Sequence, residues 1–163
     1  MPQHNKRPSP IAYSCYVTRS REGEQFISEH VFSYQVSGTM IMNDGNREYI
    51  FNPGDFRFGR RNQLVKFNKL PTEGGEYRSL SVHFDQPFLR NFSMEAGYKA
   101  ELHIDGHAVT GFRPDPLYKG YFDSLLPYRQ LNAEDDAGLI ALKLKEALLL
   151  LLKVNPGDRK SVV

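Results

Sequence analysis

A chain of 163 residues with 40% hydrophobic and 12% aromatic residues can bury the core of one domain and is too short to divide into several. Its formal charge of +2, from 21 basic and 19 acidic residues, excludes binding to nucleic acid or to an anionic membrane by the bulk charge of the whole chain. The lone cysteine, Cys15, excludes an internal disulfide framework and a multi-cysteine zinc module, and it points to a reducing, cytoplasmic setting.

Residues 1–10 are polar and proline-punctuated, so they read as a loose leader with no secretory signal. From residue 11 to about residue 84, short β-branched and aromatic runs alternate with turn residues, which predicts an all-β region. Residues 11–18 form the first expected strand. Residues 30–43 supply two more, separated at Ser37-Gly38, where glycine can take a positive φ. Asp44-Gly45 predicts a hairpin turn and residues 47–51 the returning strand. Asn52-Pro53-Gly54-Asp55 turns the chain again. Residues 56–58, 64–67 and 77–84 complete at least six strands, as in a sandwich or small barrel.

The texture then changes. Residues 87–92 predict a short helix and residues 98–104 a further strand. Pro116 suits a first helical position, and Leu117, Tyr121 and Leu125 repeat every four residues until Pro127. Asn132 is the expected cap of a longer helix over residues 133–153, stopped by Asn155-Pro156-Gly157. Its most apolar part, residues 137–152, carries Lys143, Lys145 and Glu146 and falls short of the roughly 20 residues that span a bilayer. Asp136, Lys143, Glu146 and Lys153 share one narrow stripe of that helix, and leucines wrap the rest. This apolar arc is wider than one sheet can cover. Either a second subunit or the Pro116 helix must bury the surplus.

Isolated residues read blandly. His4, His103 and His107 are expected in solvent, and Cys15, between two tyrosines, as a small buried residue. Arg57, Arg60, Arg61, Lys66 and Lys69 read as a solvated rim paired with Glu73, Glu76 or Asp55. His83 shares a strand face with Ser81 and Tyr77, so it meets a ligand if that face lines an interior. The sequence holds no nucleophile elbow, phosphate loop, dinucleotide fingerprint or metalloprotease helix.

Glu29-His30, the run Tyr34-Gln35-Val36-Ser37-Gly38, the Asp44-Gly45 hairpin and Pro53-Gly54-Asp55 together resemble a cupin barrel. With the terminal leucine-rich helix, they resemble the N-terminal regulatory domain of AraC-type transcription regulators. The resemblance implies a mainly β fold, a cupin-like (jelly-roll) β-barrel over residues 11–113, followed by a helical dimerisation segment over 114–155. Residues 156–163 would begin a linker to a DNA-binding domain absent from this chain. It further implies an effector-sensing domain that forms a homodimer through the last helix, answers to a small molecule or a regulatory protein, and meets DNA only through that absent domain.

Metal-dependent cupins carry His-x-His-x3-Glu-x6-Gly and a later histidine. Anchored on Gly38 and Pro53, those four positions hold Gln25, Ile27, Val31 and Val65, a set that supplies no imidazole or carboxylate ligand. No metal, no cofactor and no enzymatic activity are expected, against the alternative of a small cupin isomerase or dioxygenase. Alternation puts Gln25, Ile27, Val31, Ser33 and Gln35 on one face and Phe32, Tyr34 and Val36 on the other. The candidate ligand-binding residues are therefore Gln25, Ser33, Gln35, Arg57 and His83. They suit a neutral ligand unless Arg57 points inward, which would select an acid. A barrel filled by aromatic side chains would instead favour a pocketless dimer controlled by a protein partner. The candidate dimer interface is Leu139, Ile140, Leu142, Lys143, Glu146, Leu149 and Leu150.

Overall fold

The computed structural model describes residues 9–16, 21–73, 75–96 and 108–154. Among the described residues, nine strands form two antiparallel sheets. The first has the order β1 (Ile11–Tyr16), β8 (Tyr77–Phe84), β3 (His30–Ser37), β6 (Phe56–Gly59), β9 (Val109–Phe112). The second has the order β2 (Arg21–Ile27), β7 (Gln63–Leu70), β4 (Thr39–Asn43), β5 (Glu48–Phe51). Most consecutive strands cross between the sheets, the β4–β5 hairpin and the β8–β9 pair excepted, so the two sheets close into the barrel expected of a jelly roll. Three helices follow or interrupt the strands: α1 (Gln86–Ala96), α2 (Pro116–Leu125) and α3 (Ala137–Val154), with a 3-10 turn at Leu126–Gln130.

The turns form where glycine permits them. Gly38, at φ 75°, joins β3 to β4, and a Cβ there would lie 2.6 Å from the Leu70 carbonyl oxygen. Both the positive φ and the close approach require glycine. Asp44 builds the β4–β5 hairpin by accepting from the amides of Asn46 and Arg47 at 2.9 and 2.7 Å, which holds its carboxyl below the usual range.

The main core lies outside the barrel. Phe32, Tyr34, Phe56, Phe58, Leu80, Val82 and Phe84 project from the first sheet onto Tyr118, Phe122, Leu125, Ile140, Leu144, Leu148 and Leu151 of the helices. Phe32 is the hub, with ring centroids of Phe122, Tyr118 and Phe112 at 4.9, 5.2 and 5.9 Å in edge-on arrangements. Such pairs add about 0.5–1.5 kcal/mol each beyond buried area. A second, smaller core of Ile27, Met40, Met42, Phe51, Val65, Tyr77 and Val109 lies between the sheets.

Several elements differ from expectation. β2 and β9 were not anticipated, because Arg21-Glu22-Gly23-Glu24 is polar and Val109–Phe112 is only four residues long. α1 extends to Ala96, beyond the expected residue 92, and begins where Asp85 accepts from the Phe88 amide at 2.8 Å. Asn132 caps a turn, accepting from the Glu134 amide at 2.8 Å, while α3 itself starts at Ala137. Cys15 is exposed, not buried. β1 is an edge strand, and burial fades along its helix-facing side from Ile11 through Tyr13 to Cys15, beyond the reach of the helices. The expected strand at 98–104, His4, His103, His107, the stop at Asn155-Pro156-Gly157 and the linker at 156–163 lie outside the described residues. Among the described residues, no helix is long and apolar enough to cross a membrane.

Candidate functional site

Strand alternation sorts the first sheet into an aromatic outer face and a polar inner one. In β3, Phe32 and Tyr34 pack under the helices while Val31, Ser33 and Gln35 face the second sheet. In β8, Leu80, Val82 and Phe84 face the helices while Ser79, Ser81 and His83 face inward. β1 adds Ala12 and Ser14 to the inner face, and β6 adds Arg57 and Gly59. The register sets Ser33 opposite both Arg57 and Ser81, and Ser14 opposite Ser79.

These residues surround a partly open cavity of about 170 Å³ between the sheets. Gln25, Ser28 and Glu29 stand at its rim, and the buried Ser33, Arg57 and Ser79 line its depth. Met40, Met42, Ile27, Val31 and Val109 supply apolar wall, and Lys69 a second cation. Ser33 and Ser81 share a 2.8 Å hydroxyl hydrogen bond on the polar side.

Arg57 is 6% exposed. Its Nη1 donates to Gln35 Oε1 at 2.8 Å, and its guanidinium lies 5.4 Å from the Phe51 ring centroid. Gln35, 0% exposed, is itself fixed because its Nε2 donates to the carbonyls of Ser37 and Gly38 at 2.9 and 3.3 Å. The Tyr77 hydroxyl donates to the same Oε1 at 3.5 Å. Burial pulls the guanidinium pKa down, opposed by Tyr77 and Asp55. Arginine nonetheless keeps its charge in proteins. Burial also lowers the His83 pKa, opposed by Glu29 at the rim, so the imidazole is neutral near pH 7.

Of the five candidate ligand residues, Gln25, Ser33, Arg57 and His83 line this cavity, and Gln35 stands behind Arg57 and orients it. Sequence reasoning overlooked Ser14, Ser79, Met40 and Lys69. The two serines follow from the same alternation that selected Ser33. The reading of the basic run as a solvated rim is corrected for Arg57 and Arg60, which are buried: β6 is an interior strand between β3 and β9, and Arg60 directly follows it. Of the expected acidic partners, Glu76 pairs with Arg78 instead. The positions of the metal-cupin pattern hold Gln25, Ile27 and Val31 on the cavity wall and Val65 in the inter-sheet core. Among the described residues, no group of three or more histidine, cysteine, aspartate or glutamate side chains is placed to hold a metal ion.

On α3, the expected interface residues separate. Ile140 is buried in the intrachain core, so its side chain is not available to a partner and the expectation for it is corrected. Lys143 turns back onto its own chain, donating to Ser124 Oγ at 2.8 Å and Glu146 Oε2 at 2.9 Å. Leu139, Leu142 and Leu149 are exposed, with Glu146 among them and Leu150 half-buried.

Comparison with known proteins fits this architecture. The model of the ExsA N-terminal regulatory domain matches residues 30–159, most of the chain. The chain belongs to that family. ToxT of Vibrio cholerae, in its apo K231A form, shares the fold of this family member with a TM-score of 0.62 at 9% identity, covering 91% of this chain and 58% of ToxT. ToxT bound to (E)-4-(8-methylnaphthalen-1-yl)but-3-enoic acid gives a TM-score of 0.57 at 12% identity, over 88% and 57%. The AraC-like transcriptional activator CuxR gives 0.56 at 11% identity, over 87% and 51%. The chain therefore spans a little over half of each of these proteins. A search of curated protein sequences finds no match. The cupin-like barrel with C-terminal helices and the regulatory-domain family thus agree with what the resemblance implied.

Proposed function

We propose that this regulatory domain senses a small organic effector in the barrel cavity and passes its occupancy to α2 and α3, which dimerise and control a DNA-binding domain elsewhere in an AraC-type regulator. On this reading the barrel over 11–113 binds and a helical segment over 114–155 transmits. One observation carries the reading. The main aromatic core is built outside the barrel, which leaves the interior of the first sheet lined by Ser14, Ser33, Ser79, Ser81, Arg57 and His83. A fold selected only for stability has no reason to spend its interior on hydroxyls and a charge.

Two features support transmission. Ser33 faces the cavity, while its neighbours Phe32 and Tyr34 pack on Phe122 of α2 at 4.9 and 5.6 Å. A ligand that prefers one position of β3 therefore biases the seat of α2, which is the differential affinity that coupling requires. ToxT, of similar fold, has been seen with an unsaturated fatty acid and with a butenoic acid derivative, in keeping with effector binding by such a domain. The larger aromatic cluster, which inside the barrel would have argued for a pocketless, partner-controlled domain, lies under the helices, and a cavity remains beside the smaller inter-sheet core.

The test is a thermal-unfolding screen of small metabolites against the wild-type chain and Ser81→Phe, which fills the cavity. At least one compound should raise the wild-type Tm and leave a folded Ser81→Phe unmoved. A screen that yields no stabiliser, or stabilisers that act equally on both proteins, would overturn this reading.

A further inference from the structure

Arg57 is the anomaly of the interior. Among the described residues its direct partners are neutral, the Gln35 amide, the Tyr77 hydroxyl and the Phe51 ring; Asp55 acts on it at longer range, and no carboxylate forms an ion pair with it. Removing a guanidinium from water costs several kcal/mol unless an opposite charge is paired with it. The surroundings also fix the fork in place, since Gln35 is itself held by two backbone carbonyls. A buried, immobilised cation at the depth of a cavity, with no carboxylate in contact, is a pre-organised anion site.

The remaining walls narrow the anion. Arginine presents a planar fork that matches a carboxylate edge, and Nη1 is already committed to Gln35. The serine hydroxyls of β1, β3 and β8 offer donors and acceptors along one wall, and Met40, Met42, Ile27 and Val109 offer apolar contact along the other. At about 170 Å³ the space is below the roughly 300–1,000 Å³ of drug-sized sites. A short hydroxylated skeleton suits it better than a long acyl chain.

We infer that the effector is a compact hydroxylated carboxylate, its carboxylate paired with Arg57 and its hydroxyls bonded to the Ser33, Ser79 and Ser81 wall. This rests on the cavity being the effector site. It adds the ligand class and the residue that selects it. Lys69, on the same cavity wall, raises the positive potential there, and Glu29 at the rim beside His83 disfavours an anion bound in the opposite sense.

The test uses thermal unfolding and calorimetry of the wild-type chain and of Arg57→Met and Arg57→Lys, at constant ionic strength. The probes are acetate, glycerate, malate and gluconate, the neutral counterparts acetamide and glycerol, and decanoate. At least one hydroxylated carboxylate should stabilise wild type by several degrees, and the neutral counterparts and decanoate should not. Arg57→Met, which replaces the buried charge by an apolar side chain of similar length, should weaken that probe by about tenfold or more, as expected for loss of a charged hydrogen bond. Arg57→Lys, keeping the charge without the fork, should fall between. Stabilisation by neutral counterparts in place of the acids would overturn the inference while leaving the cavity as the effector site. So would acid binding undiminished in a folded Arg57→Met. Absence of any effect from the acids on wild type, alongside hits of other chemistry in the metabolite screen, would likewise overturn it.

Discussion

The buried Tyr121 hydroxyl donates to the Lys143 carbonyl at 2.7 Å, and the Lys143 ammonium reaches back to Ser124 Oγ at 2.8 Å. Two hydrogen bonds thus run in opposite directions between α2 and the middle of α3. The same ammonium lies 5.6 and 5.3 Å from the ring centroids of Tyr121 and Tyr128. Burial, with Glu146 nearby, raises the phenol's pKa well above its usual value, so the hydroxyl remains a donor at any working pH. Phe122, the next residue, packs against the reverse side of the cavity strand, so this joint connects the strand behind the cavity to α3.

Tyr121→Phe removes that donor while keeping the ring in the core. A net hydrogen bond is worth about 0.5–1.5 kcal/mol, so urea unfolding should show a loss of about 1 kcal/mol with the helical signal unchanged. A loss near zero would show that the α2–α3 seam is held by apolar packing alone.

The parity of β3 and β8 was legible because a period of two survives any uncertainty about strand ends: once Phe32 and Tyr34 face a core, Ser33 and Gln35 must face away. Non-local facts were not legible. Sequence leaves Arg57 open between a solvated run with Arg60 and Arg61 and an inward position, and only its place between Ser33 and Gly111 in the pairing of β6 buries it. Its bond to Gln35 spans 22 positions in sequence. Cys15 shows the converse, for local alternation predicts burial whereas the reach of the helices decides it. The breadth of the apolar arc on α3 was plain from composition, but which half meets the chain itself depends on where α2 and β8 lie.

His30 is 2% exposed, its ring centroid 5.5 Å from that of Phe58 in a tilted arrangement, and its Nδ1 accepts from the Arg61 amide at 3.2 Å. Burial foremost, then the charges of Arg61 and Arg60, push its pKa down from 6.5 to about 4. Between those values the unfolded chain carries a proton on this residue that the folded chain refuses. Stability should therefore fall as pH drops below about 6.5, by on the order of 3 kcal/mol by pH 4. His83, shifted in the same direction, adds to the slope. His30→Asn, whose Oδ1 can replace Nδ1 as acceptor, should flatten the dependence of urea stability on pH from 6.5 to 4. An unchanged slope would assign the acid sensitivity to other groups.

Asp115 precedes Pro116 in extended conformation, and its Oδ1 accepts from the Leu117 amide at 2.8 Å. It satisfies one of the donors left open at the start of α2. Asp115→Ala should cost about 1 kcal/mol, within the usual range of about 0.5–2 for a lost cap, and Asp115→Asn much less. Equal losses for the two would mean that charge, and not the accepting oxygen, stabilises the helix start.

α3 carries apolar residues on two opposite sides. At about 100° per residue, Ile140, Leu144, Ala147, Leu148 and Leu151 make one arc, which is buried. Leu139, Leu142 and Leu149 make another on the far side, and Leu142 is 65% exposed. A groove of Phe88, Phe92, Ala141 and Leu142 between α1 and α3 adjoins that stripe, with Lys145 and Glu95 paired across it at 3.1 Å. If a second copy covers the stripe, each leucine buried there contributes about 1.5–3 kcal/mol, far more than an exposed ion pair at about 0–1. Leu142→Asp and Leu149→Asp should then yield monomers in sedimentation while the Tm of the monomer stays nearly unchanged, because neither side chain belongs to the intrachain core. Leu148→Ala, on the buried side, should instead cost about 2–5 kcal/mol of folding stability without directly removing interface contact. A wild-type chain that sediments as a monomer at micromolar concentration would remove dimerisation from the function of this helix, whereas aspartate variants that unfold without dissociating would place the exposed leucines in the fold itself.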